Sequence, residues 1–204
     1  MFIQAYSEEL SDKQISLLVN SLESGEIIIL PTDTLYAFVC DINSRKACET
    51  LARLKGKALE KSNFSLLCRN LSQACNYIKP LSNTQFSFIK GLNTGGFTFV
   101  LRASNFTPKI FQSKKKTIGI RIAENRICSD ILERMGRPLL VSSVPHTEEM
   151  DFEDFSCAEI VEELYKKDIS HIVGGEFCKN IPSTVVDMTG DECIIVREGL
   201  GVVE

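Results

Sequence analysis

The chain is short of the groups on which several common chemistries depend. Its 204 residues include two histidines, His146 and His171, too few to build a metal centre on imidazole. Eight cysteines (Cys40, Cys48, Cys68, Cys75, Cys128, Cys157, Cys178, Cys193) never fall into a Cys-x-x-Cys spacing. With no export signal in front of them they read as reduced, mostly buried thiols, and no metal site is expected. Neither a Gly-x-x-x-x-Gly-Lys-Ser/Thr loop nor a Gly-x-Gly-x-x-Gly turn occurs, so a nucleotide would have to be held by dispersed side chains and backbone turns. No hydroxyl has the spaced His and Asp partners of a hydrolase triad. Apolar runs stay well below the roughly 18 residues of a membrane-spanning helix. The start, Met1 to Glu9, has neither the basic leader nor the apolar core of a signal peptide, so a cytoplasmic location and no membrane partner are expected.

What is present is an ordinary globular composition, 44% hydrophobic and 25% charged, of a length that fits one domain over 1–204. The net charge of -4 conceals a strong partition. Ile42 to Arg121 holds 15 Lys and Arg against two acids, whereas Thr147 to Glu204 holds four against 15. A middle segment of +13 suggests a face for phosphates, in a nucleotide or in RNA; the plainer reading is a solvated basic surface balanced by the acidic tail of -11.

The stretch on which the chain is organised is Ile27-Ile28-Ile29-Leu30-Pro31-Thr32-Asp33-Thr34-Leu35-Tyr36-Ala37-Phe38-Val39. An aliphatic run that ends in proline reads as a buried strand, which leaves Thr32, Asp33 and Thr34 at the mouth of a sheet or in a simple polar turn. Before it, Ser11 caps an amphipathic helix carrying Ile15, Leu18, Val19 and Leu22; after it, Ser44 caps a second helix that stops near Gly56. Further strands are expected at Phe64–Cys68, Phe97–Leu101, Thr117–Ile122, Pro138–Val141, Ile169–Val173, Thr184–Asp187 and Cys193–Arg197. Helices are expected at Leu71–Ile78, Asn83–Leu92, Ile127–Met135 and Cys157–Tyr165. Strands and helices alternate at first, but two pairs of strands follow one another directly. The fold class is therefore α/β, a twisted, open, mixed parallel and antiparallel sheet with flanking helices.

Several residues invite two readings. Lys55 and Lys57 just past a helix end either complement its dipole or meet phosphate. Arg121, on an otherwise apolar strand, is either edge-exposed or paired in a fixed fork with a carboxylate or phosphate. Ser142-Ser143 and Ser183-Thr184, at strand ends, either satisfy turns or bind an oxyanion.

In order along the chain, these residues resemble the YrdC/YciO family. The run Pro31-Thr32-Asp33-Thr34-Leu35-Tyr36 is similar to its Pro-Thr-Asp/Glu-Thr-x-Tyr, Lys55-Gly56-Lys57 to its Lys-x-Arg, and Gly95-Gly96-Phe97-Thr98 to its Pro-Gly-x-x-Thr. Gly119-Ile120-Arg121, Pro138 to Ser143, Ser183 to Asp187 and Arg197-Glu198-Gly199 complete the set. The resemblance implies the same mixed α/β fold with a concave basic surface. It also implies a threonylcarbamoyl-AMP synthase reaction, in which L-threonine and bicarbonate form a carbamate that attacks ATP and releases pyrophosphate, for tRNA modification. By position, Thr32, Arg121 and Ser183 would hold the amino acid, and Lys55, Lys57 and Ser143 would face the ATP phosphates and carry the catalysis. Thr34, Tyr36, Thr98, Ser142 and Arg197 would complete the binding set. Mg2+ would accompany ATP, and no protein-bound redox cofactor is implied. The family's binding of tRNA or double-stranded RNA points to a basic face of Lys61, Lys114, Lys115 and Lys116. Two departures, Lys57 in place of arginine and Pro145 in place of the asparagine of a Ser-x-Asn motif, resemble the YciO branch, whose alternative role is nucleotide and RNA binding without full synthase activity.

Overall fold

The computed structural model describes residues 1–6, 9–56, 64–92, 94–108, 111, 116–145, 157–175 and 178–203. Expectations placed on Lys57, Lys61, Lys114, Lys115 and the acidic stretch 147–155 lie outside these residues.

Local sequence accounts for most of the elements. Helix α1 (Asp12–Glu23) opens with a capping box: the Ser11 hydroxyl accepts from the Gln14 amide, and the Gln14 side chain accepts from the Ser11 amide at 2.9 Å. This satisfies two of the amides that a helix start leaves unpaired. Strand β2 (Ile28–Leu30) is fully buried and turns back antiparallel into β3 (Ala37–Asp41), pairing Leu30 with Ala37 across the proline-initiated loop. Helix α2 (Arg45–Leu54), capped by Ser44, ends at Lys55, and Gly56 follows at φ +66°. Strand β4 (Ser65–Leu67) leads to α3 (Leu71–Cys75) and α4 (Asn83–Gly91). Antiparallel strands β5 (Phe97–Arg102) and β6 (Thr117–Arg121) precede α5 (Arg126–Met135), which Gly136 closes in the left-handed conformation, at φ +66°, that glycine adopts without strain. Then come β7 (Leu139–Ser143), α6 (Ala158–Tyr165), β8 (His171–Gly174), β9 (Thr184–Asp187) and β10 (Ile194–Arg197).

Two elements differ from expectation. A first strand, β1 (Phe2–Gln4), pairs parallel with β8; three residues are too few to show a period. The helix expected over Leu71–Ile78 stops at Cys75, because Ile78 leaves it to bridge Ala103 at the end of β5.

The ten strands form one mixed sheet in the order β1-β8-β2-β3-β7-β4-β6-β5-β9-β10. One face carries Phe38, Leu66, Phe99, Ile120 and Leu140, packed in one cluster with Cys48 and Leu51 of α2, Ile89 of α4 and Val161 of α6. On the opposite face, Ile28, Leu30, Val39, Leu139 and Val141 pack in one cluster with Leu18 and Leu22 of α1 and Ile131 and Leu132 of α5. Strand register carries that second face onward from Val141 to Ser65, Gly119 and Val100, and from Thr98 to Val185. None of Ser65, Gly119, Val100, Thr98 and Val185 is fully buried, and all border one cavity. Among the described residues the sheet is thus covered over half of this face and open over the other half, and the open half is where a ligand can reach the strands.

The cysteines fit the reduced state. All eight are free: Cys40, Cys48, Cys68 and Cys128 are buried, Cys157, Cys178 and Cys193 half-buried, and Cys75 exposed. Burial pushes the Cys68 thiol up to about 12 and Cys128 higher still, so both remain protonated and unreactive at neutral pH. Maleimide added to native protein at pH 8 should therefore label Cys75 first and leave Cys68 and Cys128 untouched until the chain is unfolded, as read by peptide mass spectrometry. Fast labelling of Cys128 in the native state would contradict this packing.

Candidate functional site

The loop after β2 is built by one hydroxyl. Thr32 Oγ1 donates to the Leu35 carbonyl at 2.7 Å and accepts from the amides of Thr34 and Leu35 at 3.1 and 3.2 Å. That local knot replaces the ladder bonds that proline ends. It leaves Thr32, Asp33 and Thr34 all buried. The loop rests on the Cys128 thiol, which donates to the Pro31 carbonyl at 3.4 Å, with Cys178 beside the Thr32 backbone. Burial drives Cys178 up to about 12 and Cys128 higher still, so both thiols stay neutral here.

Asp33 then joins three segments. One carboxylate oxygen takes the Nη2 of Arg121 at the end of β6, and the other takes the amide of Gly96, just before β5, at 2.7 Å. Arg121 is buried and donates further to Thr34 Oγ1 (3.3 Å) and to the carbonyls of Phe97 (2.9 Å) and Ile122 (3.2 Å). Of the two readings of this arginine, pairing with a carboxylate is the one realised within the chain. Its two terminal nitrogens make all of these bonds; Nε makes none among the described residues.

A cavity of about 610 Å³ opens between this loop and the uncovered strands. Thr32, Thr34 and Arg121 line one end. Lys55, at the end of α2, lines the side and donates from Nζ to the Ser143 carbonyl at 2.7 Å, so that it, Ser142 and Ser143 form one wall. Across the floor, the hydroxyls of Thr98 and Ser183 lie 2.7 Å apart. Arg197 closes the far side, its Nε and Nη2 donating to the Ser183 carbonyl at 3.1 and 2.6 Å and Nη2 also reaching the Ser183 hydroxyl at 3.2 Å. A bulge in β10 makes this geometry. Ile194 pairs with Asp187 and Ile195 with Val186, but Arg197, not Val196, pairs with Val185. The extra residue turns the guanidinium to the cavity side, where simple alternation would have sent it to the other face. Burial lowers the Arg197 pKa.

Nine residues of the expected set are thus gathered in one place: Lys55 and Ser143; Thr32, Thr34 and Arg121; Thr98, Ser142, Ser183 and Arg197. Tyr36 is turned away. Its ring is buried in the core beneath the sheet, and its hydroxyl donates to the Gly175 carbonyl at 2.6 Å and accepts the Gly175 amide at 3.0 Å. Burial drives its pKa well up, and its role in the described residues is to tie β3 to the end of β8. Lys116 is exposed at the start of β6 and does not line the cavity.

Three contributors lay outside the expected site. Asp33 was legible only as part of the polar loop. Ser65 and Gly119, side by side on the floor, were readable from a glycine inside a β-prone run, a pattern that marks close approach to the backbone. A methyl group on Gly119 would overlap the Ser65 hydroxyl. Among the described residues the cavity lining has three cations and no carboxylate. Among the described residues no histidine or cysteine lines it, and cations set among hydroxyls suit oxyanion binding and charge stabilisation.

Replacing Gly119 by valine should fill the floor. Binding of inorganic pyrophosphate, measured by calorimetry, should fall by roughly tenfold or more, and overpacking against Ser65 should cost about 1–3 kcal/mol of stability. The double variant Gly119→Val/Ser65→Gly should recover stability without recovering binding; recovery of both would mean that the floor is not the binding surface.

A family model described as telomere recombination (Sua5/YciO/YrdC) matches residues 20–199. The uncharacterized protein YciO of Escherichia coli K12 is 32% identical over 203 residues, covering 98% of this chain and 96% of its own. A threonylcarbamoyl-AMP synthase of Vibrio campbellii is 23% identical, with 92% of this chain and all of its own length covered. The crystal structure of E. coli YciO superposes with a TM-score of 0.90 at 31% identity, over 100% of this chain and 98% of that one. Pyrococcus abyssi Sua5 complexed with L-threonine superposes at 0.86 and 20% identity, over 98% of this chain and 57% of that one, which is a likeness of fold.

Proposed function

The chain belongs to the Sua5/YciO/YrdC family, and we propose that it is a member of YciO type whose cleft binds a nucleotide together with an amino acid, with adenylate-forming activity attenuated. The observation that carries this reading is the lining itself: Lys55, Arg121 and Arg197 with hydroxyls between them and no carboxylate among the described residues. Such a lining suits phosphate and carboxylate oxygens. Both a threonylcarbamoyl-AMP synthase and a threonine-bound Sua5 are among the similar proteins, which supports ATP and L-threonine as the ligands. Magnesium would enter as part of the nucleotide substrate, held chiefly by its phosphates.

In the synthase reaction a carbamate oxygen, formed from the amino group and bicarbonate, attacks the α-phosphorus of ATP, and the bond to the β,γ-phosphates breaks with release of pyrophosphate. No protein atom needs to become covalent. Lys55 beside Ser143 and Arg197 beside Ser183 would stabilise charge that develops on phosphate oxygens, and Arg121 with Thr32 would hold the carboxylate. What attenuates the step is the end of β7. The Val144 amide donates to the Tyr36 carbonyl at 2.9 Å, and Pro145 has neither an amide hydrogen nor a side-chain donor. That wall is therefore poorer in donors than one with asparagine at this position. A lost donor to a charged group is worth about 1.5–3 kcal/mol, roughly ten- to a hundredfold in rate. Binding of tRNA or double-stranded RNA is a second reading, favoured by the +13 charge of Ile42 to Arg121; it requires affinity that falls steeply with salt.

Pyrophosphate release from ATP, with and without L-threonine and bicarbonate, tests the main reading. The wild type should bind ATP and release pyrophosphate slowly, Lys55→Ala should lose the release, and Pro145→Asn should raise it by roughly tenfold. ATP binding that is absent in the wild type, or unaffected by Lys55→Ala and Arg197→Ala together, would refute the cleft as a nucleotide site.

A further inference from the structure

Arg121 lines the cavity, but its charge is already answered from within the chain. Asp33 meets it from the loop side, does not itself line the cavity, and is fixed at its other oxygen by the Gly96 amide at 2.7 Å. The side chains of Asp33 and Arg121 are each only 7% exposed, so water screens the pair little. Arg197 differs: its bonds among the described residues go to the uncharged Ser183. The cleft therefore has an end where a guanidinium is present but compensated, and a side where one is present and uncompensated.

We propose that Asp33 is the positioning residue that sets ligand charge selectivity in this cleft: it holds Arg121 in place and cancels its charge, so the Arg121 end takes the carboxylate of a net-neutral amino acid and rejects phosphate. With its four terminal N–H groups taken up by Asp33, Thr34, Phe97 and Ile122, the compensated guanidinium keeps Nε–H, unbonded among the described residues, for one carboxylate oxygen. A multiply charged phosphate gains little there, because the Asp33 carboxylate lies directly behind and repels it. Without this device the two ligands of an amino-acid-plus-nucleotide site would compete for one end, since every cation in the lining would favour polyphosphate. The inference rests on the reading of the cleft given above, and it adds which residue sorts the two ligands.

Calorimetric titration of L-threonine and, separately, inorganic pyrophosphate into wild type, Asp33→Asn and Asp33→Glu tests it, with circular dichroism as the check on folding. Asp33→Asn should bind pyrophosphate about tenfold more tightly and L-threonine more weakly, because a nearly isosteric change leaves Arg121 with net positive charge. Asp33→Glu, which restores the carboxylate, should bring the affinity ratio back toward wild type. A merely structural role for Asp33 would weaken both ligands together, and that result, or an unchanged ratio, overturns the proposal. Should Asp33→Asn fail to fold, Asp33→Asn/Arg121→Gln removes both buried charges. It should lose L-threonine affinity by tenfold or more and keep that for pyrophosphate; loss of both or of neither overturns the proposal. A wild type that binds neither ligand overturns this inference and the cleft reading together, whereas wild-type binding with the ratio unmoved overturns this one alone.

Discussion

The ion pair between Asp33 and Arg121 is the contact on which the site depends. It crosses from the loop after β2 to the end of β6, and through the Gly96 amide to the entry of β5. Strands β2 and β6 are not neighbours; β3, β7 and β4 lie between them in the sheet. A buried pair of this kind is a poor source of net stability, since desolvation cancels much of the attraction, but removing one partner leaves a stranded charge at a cost of about 3–5 kcal/mol. Its value is geometric. It fixes Thr32, Thr34 and Arg121 at one end of the cleft as a single unit, and the surrounding donors leave that unit few other arrangements.

The second constraint is incomplete coverage of the sheet. Helices α1 and α5 pack over β2, β3 and β7 on one face, and the open face continues over β4, β6, β5 and β9. Exposed strand faces elsewhere in proteins carry polar residues at every second position. Here those positions hold Ser65, Gly119, Val100, Thr98 and Val185, small or aliphatic groups that leave room above them. Among the described residues the cleft is thus a consequence of which residues face outward in four strands, with Lys55 and the loop after β2 adding a wall and an end. Arg197 enters because β10 spends a residue on a bulge, which also bends and shortens the pairing at this edge of the sheet.

Most of the elements were legible from local patterns: the Ser11 and Ser44 caps, the Gly136 stop, and the apolar runs that became β2, β5 and β6. Strand order was not, because pairing β3 with β7 or β5 with β9 joins segments far apart in the chain. Within the site, residue type signalled the cations and hydroxyls, and motif order put them together. Tyr36 shows the limit of that reasoning. Side chains alternate along a strand, and its step beside Ala37 places it in the core on the face opposite the cleft, where Gly175 satisfies its hydroxyl. Arg197 shows the reverse: alternation alone would have excluded it, and only the register shift admits it. Asp33 stood in plain view in the loop, but nothing local indicates a partner 88 residues away.

Charge in this protein acts locally. The chain as a whole is acidic, at -4, with its positive charge concentrated in Ile42 to Arg121. Inside the cleft the balance is opposite, with Lys55, Arg121 and Arg197 in a lining that has no carboxylate among the described residues. Fields of exposed charges fade over about 8–10 Å at ordinary ionic strength; those in a partly enclosed cavity with strands for a floor fade less. A site built this way selects by what fits within it rather than by attraction from afar. Because Asp33 already balances Arg121, the remaining positive charge lies toward Lys55 and Arg197, on the side of Ser143 and Ser183. The cleft is therefore uneven in charge, balanced at Arg121 and cationic at Lys55 and Arg197, so its walls offer different partners to a neutral and to a strongly anionic group.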